Sequence, residues 1–350
     1  MKEVNRLTKK RTIYDIASEL GLAPSTISKI LNHTGNVSVK TRERVLHHIK
    51  QVGYVPTSSA RMLKSKRTYT IGVVFTEESD IGLEHSFFSS ILQSFKTYVE
   101  KEGYELSFIV RKLGKNHLSY YEWCMNKRVD GVYIVVGDFN DQGLHEILES
   151  GIPAVSTDMF LPGLHTVVSD NDQGIRISLE YIRDVLKKKH VAMVAGPVTS
   201  KAFVERLISF QKYISEFNLD SSDDDIVLSS SFGFTGGFNA INQLLKQVKK
   251  RPEVILTASD DIALGVIKGL TSVGIKIPEE VQVIGFDDIA FSRYFTPSLT
   301  TIAQDRKLLG ETAAKMMINL IENPEQEIDE IITLPVKLIV RESTKEYKIK

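Results

Sequence analysis

Ser25, Thr26, Ser28, Lys29 and Asn32 sit close together in the segment "LAPSTISKILN", residues 22 to 32. Short hydroxyls and an amide can donate to or accept from base edges and phosphates, and a lysine reaches guanine or a phosphate oxygen. The segment reads as a helix. Pro24 suits the first helical position, where a missing N–H costs nothing. Ile27, Ile30 and Leu31 form one apolar stripe, which leaves the polar residues on the other face. Before it, "TIYDIASELG" is a second helix, with Thr12 as N-cap, Asp15 three residues on and Gly21 as the stop. Two short helices joined by "GLA" make a helix-turn-helix. The second helix would enter a major groove with Pro24, Ser25, Thr26, Ser28, Lys29 and Asn32, and Thr12 and Tyr14 of the first helix would lie beside it.

Other chemistries lack their residues. The chain has no G-x-S-x-G elbow, Walker loop, H-E-x-x-H or G-x-G-x-x-G, so no enzyme activity is expected. No cofactor or metal is expected either. "DSSDDD" (220–225) lacks the glycine and the final glutamate of a calcium loop and reads as solvated. His47 and His48 have no cysteine or carboxylate cluster nearby in sequence. The single cysteine, Cys124, excludes an intrachain disulfide and fits a reducing cytoplasm. No run of about 18 apolar residues is present to cross a membrane, and the basic N-terminus lacks the apolar stretch of a secretory signal. The expected location is cytoplasmic.

The net charge of zero hides an asymmetry. Residues 1 to 67 hold 14 Lys and Arg against 4 Asp and Glu, a surplus of ten positive charges. The rest carries 30 against 40, so a basic head sits on an acidic body. A head of that kind suits a polyanion. A third helix, "VKTRERVLHHIKQVGY", follows Ser38 as cap, with Val45, Ile49 and Val52 inward and Gly53 at its end. From Thr70 onward, Val/Ile-rich runs such as "TIGVVF", "DGVYIVV", "HVAMVAG" and "VQVIGFDD" alternate with amphipathic segments. That alternation predicts parallel sheets covered by helices on both faces. About 280 residues of it suit two doubly wound subdomains with a cleft between them.

Taken together, "TIYDIASELGLAPSTISKILN", "VSVKTRERVLHHIKQVGYVP", "SDDIALGVIKGLTSVGIKIPEEVQVIGFDD", "PSLTTIAQD" and "LPVKLIVREST" closely resemble the lactose/galactose repressor family of bacterial transcription regulators. The resemblance runs through the whole chain. It implies a small all-α helix-turn-helix head and an α/β body of two doubly wound parallel-sheet subdomains, like the periplasmic binding proteins. The implied division is a head at 1–56, a hinge helix and linker at 57–69, an N-terminal subdomain at 70–166 and 296–324, and a C-terminal subdomain at 167–295 and 325–350. "PTSSARML" matches the hinge helix. Leu63 stands at the residue that wedges into the minor groove, Ala60 at the small residue near the partner hinge, and Arg61 at a basic contact. Such a wedge unstacks a base step and kinks the duplex. A helix this short does not hold alone in water, so its folding would couple to DNA. Thr57 replaces the family's usual asparagine. Pro24 stands where the lactose repressor has tyrosine, so the operator sequence does not carry over.

The resemblance also implies an effector site in the cleft. Arg206 matches the ligand arginine, Asp287 of "GFDD" the ligand aspartate, and Phe232 a stacking aromatic. Phe87 and Phe88 of "HSFFSS", Asp158 and Gln304 match cleft positions, and Ser259 stands where many members have asparagine. Asp260 and Asp261 read as caps of the next helix, and Asp288 as a partner of Asp287. The expected function is a transcriptional repressor of carbohydrate-utilisation genes. It would bind a pseudo-palindromic operator as a homodimer and be switched by a small molecule, a sugar by family habit. The ending soon after "IVREST" favours a dimer over the tetramer of the lactose repressor. The alternatives are a global catabolite regulator with a phosphocarrier protein as co-repressor, and a repressor answering a sugar phosphate or nucleobase. A plain sugar-transport protein would need a signal peptide and no basic head.

Overall fold

The computed structural model describes residues 11–31, 35–54, 67–75, 82–83, 85–136, 140–157 and 159–346. Asn32, Ala60, Arg61 and Leu63, expected at the DNA and in the hinge, and Asp158, expected in the cleft, lie outside them. The chain divides after Thr68 into two compact units.

The first unit holds α1 (Ile13–Leu20), α2 (Pro24–Leu31) and α3 (Val39–Val52). Thr12 closes a capping box on α1. Its hydroxyl accepts from the Asp15 N–H at 3.3 Å, and its own N–H donates to the Asp15 carboxylate at 2.8 Å. Gly21 ends the helix at φ 63°, in the left-handed region that glycine enters without cost. Ser38 caps α3 through the Thr41 N–H. Ile16, Ile27, Ile30 and Val45 are fully buried, with Ala17 and Tyr54 beside them, and together they make the core of the unit. His48 and Glu19 tie α3 to α1 at 2.7 Å, and Arg44 donates to the Leu20 carbonyl.

The second unit begins with β1 (Thr70–Phe75), α4 (Ser86–Lys101), β2 (Glu105–Ile109), the short hairpin of β3 (Lys112–Leu113) and β4 (Asn116–His117), and α5 (Tyr120–Lys127). It continues through β5 (Gly131–Val136), α6 (Gln142–Glu149), β6 (Ala154–Ser156) and β7 (His165–Ser169). Then come α7 (Asn171–Tyr181), β8 (Val191–Ala195), α8 (Lys201–Glu216), β9 (Ile226–Leu228), α9 (Phe234–Gln247) and β10 (Val254–Thr257). The last elements are α10 (Asp260–Ser272), β11 (Gln282–Asp287), α11 (Phe291–Tyr294), β12 (Thr300–Ala303), α12 (Arg306–Glu322), β13 (Ile331–Leu334) and β14 (Lys337–Ile339).

Two six-stranded sheets result, in the orders β13-β7-β6-β5-β1-β2 and β14-β12-β11-β10-β8-β9. All pairings in the first are parallel, and in the second only β14 runs antiparallel, against β12. β5, β8, β10 and β11 are buried along their whole length, which is why they read as unbroken apolar runs. α4 and α12 pack together on the first sheet, where Phe95 stacks on Tyr133 at 4.0 Å. On the second, Gly237 of α9 and Gly265 of α10 let the two helices approach so closely that a Cβ at either would strike facing backbone.

The sheets correct the expected subdomain boundaries. All of β7, to Ser169, lies in the first sheet, β12 lies in the second rather than the first, and β13 lies in the first rather than the second. The chain therefore crosses between lobes near 170, at 304–305 and at 335–336. Short apolar strands look alike in either sheet, and only pairing assigns them.

Ile27→Ala should remove about 2–5 kcal/mol from the first unit, comparable with all the stability a module this small holds. Circular dichroism should show loss of the three helices at 37 °C with the second unit's melting transition unmoved. A common shift of both transitions would contradict two separate units.

Candidate functional site

On α2, burial of Ile27 and Ile30 turns the other residues outward. Ser25 and Lys29 are exposed, and Pro24, Thr26 and Ser28 are half-buried. Tyr14 of α1 is 64% exposed. The Thr12 hydroxyl is engaged in its cap, donating to Asp15 at 2.8 Å. Short polar side chains and one lysine on the open face of a second helix are the donor set for base edges and phosphates.

In the second unit, the loops after the second sheet's strands converge on α4 of the first lobe. His85, Phe87 and Phe88 come from the start of α4, Ser200, Phe203 and Arg206 from α8, and Phe232, Ser259 and Asp287 from the ends of loops and strands. Ligands of doubly wound sheets bind at such carboxyl ends. Arg206 is only 4% exposed. Its Nε donates to Asn171 Oδ1 at 2.9 Å and its Nη1 to the Ala258 carbonyl at 2.5 Å. Its guanidinium lies 3.6 Å from the Phe286 ring centroid and 3.7 Å from Asp287 Oδ1. Gln304 Nε2 donates to the same Asp287 oxygen at 2.6 Å.

Burial raises the Asp287 carboxyl well above the usual carboxylate range. Arg206 pulls it back, and the neighbouring Asp260 and Asp261 push it up further. The desolvation of Asp287 outweighs the attraction of the Arg206 guanidinium. Asp287 and Asp288 both sit at positive φ, 127° and 53°, so a strained turn presents Asp287 to the cleft. Beside the apolar contacts of Phe87 and Phe88, polar contacts among the described residues bridge the lobes across the cleft. His85 Nε2 lies 3.5 Å from Asp261 Oδ2, and Lys201 Nζ lies 3.6 Å from the Phe160 ring centroid. Burial lowers the His85 pKa, and Asp261 opposes that shift. The void left between these side chains is about 20 Å³, room for one water molecule or so.

Phe87, Phe88, Arg206, Phe232, Ser259 and Asp287 are thus brought to one place, with Gln304 directly behind Asp287. Phe87 and Phe88 also belong to an apolar core that runs through both lobes and includes Phe203. Sequence reading missed His85, Asn171 and Phe203. Phe203 stands three residues before Arg206 on α8, so helical spacing places both on one face, but its apolar character reads as core.

Residues 12–57 match the profile described as bacterial regulatory proteins, lacI family, and residues 186–344 match a periplasmic binding protein-like domain. The HTH-type transcriptional repressor PurR of Haemophilus influenzae is 31% identical over 95% of this chain and 98% of its own length. The chain belongs to the lacI family of bacterial regulatory proteins. It is a DNA-binding transcriptional repressor of a family of regulators, not of enzymes. The lac repressor dimer bound to operator and the anti-inducer ONPF superposes with a TM-score of 0.80 at 27% identity, covering 96% of this chain and 99% of that one. A complex of the transcriptional regulator CelR with cellobiose superposes with a TM-score of 0.71 at 25% identity, covering 95% and 99%. Among the described residues, no helix is long and apolar enough to cross a membrane, and no group of three or more His, Cys, Asp or Glu could hold a metal.

Three aspartates differ from expectation. Ser259, not Asp260 or Asp261, caps α10, accepting from the Ile262 N–H at 3.3 Å. Asp260 points into the lobe, where it accepts from Ser292 Oγ at 2.6 Å, the Ile289 N–H at 3.0 Å and Thr301 Oγ1 at 2.5 Å. Asp225, expected in a solvated loop, is buried against His190 Nε2 at 2.7 Å.

Burial pushes the Asp260 carboxyl up to about 6, against the hydrogen bonds that favour its charge. A raised pKa favours the protonated form in the fold. Its contribution to stability is therefore full below the unfolded value of about 3.9 and is lost as pH rises through about 6. Asp260→Asn should flatten the fall in urea midpoint of the second unit between about pH 4 and 6. An unchanged slope would assign that titration to another group.

Proposed function

We propose that this repressor binds a pseudo-palindromic operator as a homodimer in the cytoplasm and is switched by a small polar ring molecule in the cleft. The observation that carries the reading is the buried Arg206–Asp287 pair on the second lobe's wall of the cleft. A guanidinium and a carboxylate side by side donate to and accept from vicinal hydroxyls, and Phe232 offers an apolar face for a ring. A sugar is the first candidate, and genes of carbohydrate use the expected target. The cellobiose held by CelR supports that class. A nucleobase is the second candidate. It is favoured by the four phenylalanines, Phe87, Phe88, Phe203 and Phe232, that line the void. Asp158 and Ser259 are proposed as further contacts.

On the DNA side, Tyr14, Pro24, Ser25, Thr26, Ser28, Lys29 and Asn32 would meet the major groove, with Thr12 holding α1. Ala60, Arg61 and Leu63 would form the hinge. Dimer formation is supported by apolar side chains left in water: Phe291 is 62% and Tyr294 82% exposed on α11, and Phe108 is exposed on the edge strand β2. The void is too small for a hexose, so the lobes would part to admit the effector and close on it. That motion, carried to the hinges, would change DNA affinity by the difference in effector affinity between the two states.

The test is thermal unfolding of the full chain against mono- and disaccharides, sugar phosphates and nucleobases. A ligand at 100 times its dissociation constant adds about 2.7 kcal/mol. Arg206→Ala should abolish the shift given by the hit while leaving operator affinity unchanged, and a retained shift would move the site elsewhere. A flat panel on protein that still binds DNA would favour a phosphocarrier protein as co-repressor. Operator affinity itself should fall steeply and linearly in log–log terms as salt rises. A salt-insensitive complex would contradict the proposed phosphate contacts.

A further inference from the structure

The second unit carries another concavity, beside the crossovers between its lobes. It is lined by Ser90 and Ser94 of α4, by Asp305, Arg306 and Lys307 at the start of α12, and by Lys337 after the last crossover. Its volume is about 570 Å³, enough for a small metabolite. It touches both lobes and two of the three crossings between them, at 304–305 and 335–336.

The charges in this groove do not cancel. Asp288 lies at its edge, but both of its carboxylate oxygens are engaged. Oδ1 accepts from Arg341 at 2.5 Å and Oδ2 from Arg293 at 3.3 Å. Asp305 caps α12, accepting from the Leu308 N–H at 2.9 Å. Lys307 reaches Glu311 only at 3.8 Å and is largely solvated, and Lys337 is exposed. Three cations therefore face the groove around carboxylates that already have partners.

Arg306 gives the groove its consequence. It belongs to α12 of the first lobe, yet its Nη1 donates to the carbonyls of Asp287 and Asp288 in the second, at 3.2 and 2.7 Å. Those two residues form the positive-φ turn that presents Asp287 to the cleft. A strained turn persists only where its surroundings hold it, and this guanidinium is one of the holders. An anion that draws on Arg306 competes with those carbonyls and so bears on the effector aspartate from behind.

We propose that this crossover groove is a second ligand site, taking the phosphoryl group of a small metabolite through Arg306, Lys307 and Lys337. A dianionic, multiply accepting group matches one planar guanidinium and two point charges. Occupancy would tune the response of the cleft. The site does not depend on which molecule fills the cleft.

The test is isothermal titration of the full chain with inorganic phosphate at fixed ionic strength. Acetate serves as the anion control. Lys307→Gln/Lys337→Gln, both exposed positions, serves as the variant, with its fold checked by circular dichroism. Wild type should bind phosphate saturably, one per chain. The double variant should bind about tenfold or more weakly, since removing one charge-assisted hydrogen bond already weakens binding by a factor of that order. Arg306→Gln should weaken phosphate likewise. Absence of saturable binding, equal affinity in wild type and variant, or acetate binding as tightly as phosphate would each overturn the proposal.

Discussion

A buried guanidinium governs the second unit. Arg206 sits almost out of water, and a charge so placed requires partners on every side. Asn171 from the start of α7, the Ala258 carbonyl after β10, the Phe286 ring of β11 and the Asp287 carboxylate supply them. Those groups all come from the second lobe, so the sheet order fixes the site. β8, β10 and β11 are neighbours, and their carboxyl ends deliver α8, Ala258 and Asp287 to one spot. These partners leave Arg206 and Asp287 side by side at the wall of the cleft.

The same constraint reaches behind the site. Asp287 accepts from Gln304, at the crossover into α12, while its carbonyl is held by Arg306 on the first turn of that helix. α12 packs on α4, and α4 begins with His85, Phe87 and Phe88 on the opposite wall of the cleft. A closed loop of contacts thus runs from the cleft floor, through a crossover, to the cleft roof. A body built this way does not deform locally, because close-packed interiors transmit displacement rather than absorb it.

Much of this was legible in the residues. The head was fully specified by local signals: Thr12 with Asp15, Gly21, Pro24, Ser38 and Gly53 mark the helix ends, and the stripe of Ile27 and Ile30 marks the buried face. The parallel sheets were legible because strands buried on both faces are apolar throughout. The lobe assignment of β12 and β13 was not, since pairing partners distant in sequence leave no trace in a four-residue strand. Arg206, Asp287 and the phenylalanines were reached through resemblance. Spacing would not have chosen Arg206 among 44 basic residues. Asp260 shows the limit of local reading. Directly after Ser259 it has the sequence position of a helix-start carboxylate, yet its hydrogen bonds go to Ser292 and Thr301, 32 and 41 residues away.

The balance of contacts across the cleft explains why such a body can act as a switch. The polar contacts that join the lobes there are individually modest. One histidine–aspartate pair is weakened by the burial that lowers the His85 pKa, and one lysine lies over a ring. A cation over an aromatic ring contributes about 0.5–2 kcal/mol, and a histidine whose pKa is lowered by burial gives little ion-pair attraction. Neither approaches the roughly 5.5 kcal/mol needed to drive a two-state equilibrium from one extreme to the other. Apolar contact of Phe87 and Phe88 on one wall with Phe203 and Phe232 on the other adds to these polar contacts. A molecule that bridged Arg206 and Asp287 below to the phenylalanines above would add differential binding to that balance and so bias which arrangement prevails.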